Sequence, residues 1–195
     1  MNRPLRIAGQ PAEEWSDATR EAFGGLAPAA GGARPLHLPS VVARHPTLLG
    51  PYLQWARAVA LDGVLTRREN ALLALRTACN CRSEFEWGVH ARTAADRLGF
   101  TPDELDRVAA GPDAPGWDPE EEALLRAADE LHGHSSVSDA TWLALSARHD
   151  GAALLEVVFV VGHYTMLSMV ANSAGVPPEP DWAPLPGGPG TVGGR

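Results

Sequence analysis

Glu86 and His90 stand four residues apart, a spacing that sets both side chains on one face of a helix. A carboxylate beside an imidazole is an acid/base pair: near pH 7 the neutral ring can take a proton, and the carboxylate can orient it or share that proton. Other reactive groups crowd the same run, Asn80-Cys81-Arg82-Ser83-Glu84-Phe85-Glu86-Trp87-Gly88-Val89-His90. Ser83 can offer a hydroxyl to a substrate oxygen from a helix N-terminus, where anions are favoured. Cys81, near a helix start and next to Arg82, is placed for a stabilised thiolate, with Cys79 two residues before it. Each group has a plainer reading. Ser83 and Glu86 fit an S-x-x-E capping box, the cysteines fit small buried apolar residues, and Glu84 fits a solvated first-turn charge.

A second set lies late in the chain. Glu156, Val160, His163 and Leu167 follow at intervals of four, three and four, so they share a helix face. A Glu and a His on an apolar stripe need partners if buried. The expectation is that Glu156, His163 and Tyr164 form a second wall of a pocket lined also by Trp87 and Phe85; a hydrogen-bond network between helices or subunits is the alternative. Glu86, His90 and His163 together would meet the ligand count of zinc or non-haem iron. Nothing in the sequence brings His163 to His90, and neither a metal nor another cofactor is expected. Glu69 reads as a capping residue rather than a catalytic acid, and His132 and His134 as partners of a helix C-terminus or surface residues.

The elements that must position these groups are helices. Thr66-Arg67-Arg68-Glu69 and Thr101-Pro102-Asp103-Glu104 are capping boxes, and Asp118-Pro119-Glu120-Glu121 is an N-terminus of similar design. They predict a hairpin of helices over about 67–81 and 83–98, then helices from 102, from 119 to about 131, from Ser138 through Leu145, and a long one from Gly151 that Gly175-Val176-Pro177 closes. Upstream, Leu48 to Leu61 has helical spacing and Trp15 to Phe23 is a weaker amphipathic stretch. Gly24 to Pro39 reads as a loop. The reading is an all-α protein of seven or eight helices: an extension over 1–39, one helical domain over 40–176, and a Pro/Gly-rich tail over 177–195, extended or disordered.

The 195 residues suffice for one domain with a sizeable core. The net charge of -8 disfavours nucleic acid and anionic membranes as partners. All sixteen basic residues are Arg, so no lysine Schiff base can form. The most apolar run, Leu154 to Val161, is short and interrupted by Glu156, and the first residues lack the apolar core of a secretion signal. A cytoplasmic protein with free thiols is expected.

At Ser83-Glu84-Phe85-Glu86-Trp87-Gly88-Val89-His90 the chain resembles the carboxymuconolactone decarboxylase family, which includes alkylhydroperoxidase D. The resemblance extends from about His45 to Pro180 through Leu65-Thr66-Arg67-Arg68-Glu69, Asp129-Glu130-Leu131-His132, Ser138-Asp139-Ala140-Thr141-Trp142 and Val161-Gly162-His163-Tyr164. It implies an all-helical bundle of the alkylhydroperoxidase D type that assembles into dimers, trimers or hexamers. The peroxidase branch carries Cys-x-x-Cys-x-x-x-His, whose places fall on Ser83, Glu86 and His90 here, and a relay Glu whose place is Ala71. A serine cannot follow the thiolate route to a sulfenic acid. The resemblance therefore implies a cofactor-free enzyme acting on a small organic acid or lactone by decarboxylation, lactone isomerisation or a similar step. In it His90 is the acid/base, with Glu86 and Ser83 beside it. Thiol-dependent peroxide reduction through Cys79 or Cys81 and a non-catalytic oligomeric binding module are the alternatives.

Overall fold

The computed structural model describes residues 4–24 and 37–187. Among them are nine α-helices and no strand: α1 (Asp17–Gly24), α2 (His37–Val42), α3 (Pro46–Arg57), α4 (Arg67–Asn80), α5 (Glu84–Leu98), α6 (Pro102–Ala110), α7 (Pro119–His134), α8 (Asp139–Ser146) and α9 (Gly151–Ala174). A π-helical turn, Ala58–Asp62, continues α3.

The capping signals act where the sequence puts them. Thr66 and Thr101 each accept a hydrogen bond from the backbone N–H three residues on, and Glu69 and Glu104 reach back to the Thr N–H. Asp118 and Asp150 each accept from two backbone N–H groups and start α7 and α9. Gly175, in the left-handed region, ends α9.

α4 is the central element. Leu72, Leu73, Ala74 and Leu75 are all fully buried, so this helix is covered on every side. One core cluster joins α4 to α7 and α9 through Leu73, Leu124, Val157 and Val160. A second joins it to α5 and α6 through Leu72, Leu75, Trp87 and Val108. A bidentate ion pair ties the α4–α7 contact: Arg76 Nε and Nη2 donate to Asp129 at 2.6 and 2.8 Å.

Three expectations change. First, the stretch expected as a loop over 24–39 is helical at both ends, since Gly24 closes α1 and residues 37–39 open α2; residues 25–36 lie outside the described residues. Second, the tail from 177 to 187 has no helix or strand, as an extended segment has none, but it is packed: Trp182 stacks edge-on against Phe85 at 5.4 Å and Leu185 is buried in the second cluster, while residues 188–195 lie outside the described residues. Two apolar anchors outweigh the Pro/Gly content that surrounds them. Third, α9 is by length and composition apolar enough to cross a membrane, although half of that window is buried inside the bundle. His163 and Ser168 are uncharged, so the run is less interrupted than its polar letters suggest.

Candidate active site

The turn between α4 and α5 creates the site. Arg82 adopts φ 50°, a left-handed conformation rare for a residue with a Cβ. The chain so reversed lets the Ser83 backbone N–H donate to the Ala78 carbonyl at 3.0 Å. The Ser83 hydroxyl still caps α5, accepting from Glu86 N at 3.4 Å. But the reciprocal half of the capping box is not made, because the N–H that Glu86 would accept from is already used. The sequence expectation of a full box at Ser83–Glu86 is thus only half met, and the Glu86 carboxylate is free for other work.

That carboxylate is 2% exposed. Its Oε2 lies 3.5 Å from His90 Nε2, and its Oε1 has no hydrogen-bond partner within the chain. A buried carboxylate oxygen left open costs on the order of 1–3 kcal/mol, which native structures keep mainly for a reason. His90 is the more open partner, its side chain 19% exposed. Its ring meets Tyr164 edge-on at 4.4 Å, and the other edge of this aromatic group is His163, 4.9 Å from Tyr164.

His163 is held from outside. The Trp55 indole N–H donates to His163 Nδ1 at 3.1 Å. An indole nitrogen can only donate, so Nδ1 carries the lone pair and the proton of the neutral ring sits on Nε2. Burial, reinforced by the nearby His90, pushes the His163 pKa down to about 4. Tyr52 completes the group: burial, and after it the Glu86 charge, raise the Tyr52 and Tyr164 phenols, which stay protonated donors.

The predicted site residues therefore divide. Ser83, Glu86, His90, His163 and Tyr164 come together, and Phe85 lies in the same core cluster as Tyr164. Trp87, expected beside them in the pocket wall, is instead buried in the second cluster among Leu72, Leu75 and Ala91. Helix α5 is covered on two sides, and Trp87 takes the other one. Glu156, also expected in the wall, accepts from the backbone N–H of Val64 at 2.6 Å and of Leu65 at 3.3 Å, so it fastens the 63–65 turn to α9. Gly63 makes room for it: a Cβ there would collide with the Glu156 carboxylate. Tyr52 and Trp55 escaped the sequence reading. Their signal was two aromatics three residues apart in a predicted helix.

The thiols are poorly placed for redox work. Cys81 caps the C-terminus of α4, not the N-terminus of α5, so it sits at the dipole end that disfavours an anion. Burial pushes its pKa up, and pushes Cys79 up to about 12 against a smaller lowering by Arg76. Cys79 does line a cleft of about 920 Å³ with Arg76, Asn80, Arg82 and Asn172, on a wall that includes neither Glu86 nor His90. The group of donors spaced for a metal among the described residues is also elsewhere: Glu69, Glu120 and His149. His149 Nε2 is 2.8 Å from Glu69 and its Nδ1 is 3.1 Å from the Leu145 carbonyl, so both ring nitrogens already have partners within the chain.

The model of the carboxymuconolactone decarboxylase family matches residues 46–130, which hold α3 to most of α7 and the Ser83–His90 turn. No curated protein matches the chain in sequence. Among solved structures, an uncharacterised peroxidase-related protein with an alkylhydroperoxidase AhpD core from Ralstonia eutropha JMP134 superposes with a TM-score of 0.76 at 18% identity, covering 91% of this chain and 94% of that one. An uncharacterised peroxidase-related protein from Silicibacter sp. TM1040 gives 0.74 at 15% identity, covering 92% and 95%. The debrominase Bmp8, solved in complex with 2,3,4-tribromopyrrole, gives 0.68 at 10% identity, covering 88% and 90%. At these identities the structures speak for the fold. With the family model on the site-bearing segment, residues 46–130 are similar to the carboxymuconolactone decarboxylase family, and the fold is that of AhpD-like structures.

Proposed function

We propose that the protein is a cofactor-free acid/base enzyme that decarboxylates or isomerises a small organic acid or lactone. The observation that carries this reading is the Glu86 carboxylate, released from capping, buried, and open at Oε1 beside His90. In a decarboxylation the bond to the departing carboxylate breaks, its electron pair moves onto a conjugated carbonyl, and CO₂ leaves. The resulting enolate then takes a proton at carbon. His90, reachable from outside, would carry that proton; Glu86 would hold the imidazolium. Tyr52 and Tyr164, kept protonated, would donate to the enolate oxygen, the place where a preorganised donor is worth most. An isomerisation uses the same parts, with the proton removed at one carbon and returned at another.

The test is turnover of a panel of small carboxylated lactones and unsaturated keto acids, followed by loss of absorbance and CO₂ release. His90→Ala and Glu86→Gln should each lower kcat/KM at least about a hundredfold on any substrate found. Turnover unchanged in His90→Ala would remove the histidine from the mechanism. A second reading is thiol-dependent peroxide reduction, favoured by the exposure of Cys79 to the cleft. It requires peroxide consumption and a sulfenic acid or disulfide at Cys79 or Cys81 by mass spectrometry. The elevated thiol pKa values count against it.

A further inference from the structure

Glu69, Glu120 and His149 come from three separate parts of the chain and meet at one point. Glu69 is in the first turn of α4, Glu120 in the first turn of α7, and His149 in the turn between α8 and α9. One donor atom from each lies within 4.8 Å of the other two. Their side chains are 16, 23 and 6% exposed, so the meeting point is largely screened yet open to a small ion from solvent.

This group differs from an ordinary ion pair in how its outward atoms are held. His149 Nδ1 lies 3.1 Å from the Leu145 carbonyl. A carbonyl only accepts, so Nδ1 carries a proton and Nε2 is the atom turned to the carboxylates. Glu69 Oε2 accepts from the Thr66 backbone N–H at 2.6 Å, and Glu120 Oε2 lies 2.9 Å from Arg148 Nε. Each side chain therefore has one atom fixed by an outer partner and one left facing inward. The inward atoms are His149 Nε2, Glu69 Oε1 at 2.8 Å from it, and Glu120 Oε1 at 3.6 Å from it. Histidines that bind metals are oriented in this way, through a carbonyl or carboxylate on the other ring nitrogen, and ligating carboxylates are held in turn. The spacing agrees too. Ligand N and O atoms stand about 2.0–2.2 Å from zinc, which puts neighbouring ligands roughly 3–3.5 Å apart. The two measured separations bracket that range.

We infer that Glu69 Oε1, Glu120 Oε1 and His149 Nε2 bind a divalent transition-metal ion of the zinc kind, with water completing its shell. An imidazole among carboxylates suits zinc better than magnesium or calcium, which take oxygen ligands. The charges suit it as well. A first helical turn favours the ionised form of both carboxylates. One imidazolium leaves a net negative charge among the three groups, whereas a divalent ion cancels both carboxylates and replaces the proton on Nε2, which is released. The ion is a clamp and not a reagent: its ligands include neither Glu86 nor His90, and they join the starts of α4 and α7 to the α8–α9 turn. The sequence points to no metal at these positions because only the fold brings them together.

Calorimetric titration of the full chain with Zn²⁺, in a Cys79→Ser, Cys81→Ser background that removes thiol ligands, should give one site per chain with a micromolar or tighter Kd. Glu120→Gln and His149→Gln should each weaken it at least about tenfold with unchanged far-UV circular dichroism. Glu120 is the most exposed of the three, so Glu120→Gln keeps the test open if His149→Gln fails to fold. Zn²⁺ should raise the Tm of the parent and leave that of Glu120→Gln unmoved. Co²⁺ should give visible d–d absorption that the same variants lose and that His132→Ala with His134→Ala keeps. No saturable binding, binding indifferent to Glu120→Gln, loss of binding in the His132→Ala, His134→Ala variant, or displacement of Zn²⁺ by an equal concentration of Mg²⁺ would each overturn the inference. None of these readouts depends on the activity.

Discussion

The segments Thr66–Glu69 and Ser83–Glu86 have the same local pattern, a hydroxyl residue followed three positions later by Glu at a helix start. At the first, the Glu69 carboxylate takes the Thr66 N–H at 2.6 Å and shares its other oxygen with His149 at 2.8 Å, so both oxygens are engaged. At the second, the Ser83 N–H goes to Ala78, and Glu86 keeps one oxygen near His90 and one open. Both carboxylates face a histidine. What separates a carboxylate with both oxygens engaged from one left partly open is a single backbone hydrogen bond made by the preceding turn. A capping signature thus reports where a helix begins, and the fate of its carboxylate depends on how the chain arrives.

The largest test of this contrast is catalytic. Glu86→Gln should reduce kcat/KM at least about a hundredfold, while Glu69→Gln should leave it within a few-fold; equal losses would break the distinction. Next is acid stability, which should separate the two regions by pH window. His163 has a folded pKa of about 4 against an ordinary 6.5, so between these values the unfolded chain binds the extra proton. Stability is therefore full above about pH 6.5 and falls as pH drops toward 4, by on the order of 2 kcal/mol. Urea melts at pH 7.5 and 4.5 should show this slope, and His163→Gln should flatten it. Glu69 is held below the usual carboxylate range by Thr66 and His149 against opposing burial, so its stabilisation is present above about pH 4.5 and lost only below that.

A smaller effect sharpens the same point at neutral pH. Thr66→Ala should cost about 1 kcal/mol in urea denaturation, as loss of a complete cap does. Glu86→Gln should cost nothing or stabilise, since it removes a buried charge with an unmet oxygen. A clear loss of stability in Glu86→Gln would mean that its open oxygen is satisfied after all. Smallest of all, Cys79→Ser and Cys81→Ser should keep lactone or acid turnover within roughly a factor of two, as befits thiols raised by burial.

Much of the frame is legible in the sequence because its signals are local. The boxes at Thr66 and Thr101, the Asp caps at 118 and 150 and the stop at Gly175 each need only a few neighbouring residues. The clustering of Glu86 with His90 is local too, one turn of one helix. The rest depends on contacts across long separations. Tyr52 and Trp55 reach the site from a helix far upstream, and no spacing rule joins position 55 to 163. The side of α5 that Trp87 takes is undetermined by periodicity, since both sides are buried. Glu156 looks like a pocket carboxylate until the 63–65 turn is folded against it. In the tail, the Pro and Gly count conceals the two residues that bind it down, Trp182 and Leu185.

Trp182 rests on the backbone of α5 at Gly88, so closely that a Cβ there would come within 2.6 Å of the indole. Gly88 lies between Glu86 and His90, and its partner is made ninety-four residues later. Contacts that span such a distance close late, because the intervening chain must first be ordered. During synthesis, the helix that bears Glu86 and His90 can form its capped first turn early. Its final packing must wait until the segment that carries Trp182 has left the ribosome, so a polypeptide stalled before Trp182 would carry Glu86 and His90 on a helix not yet covered at Gly88.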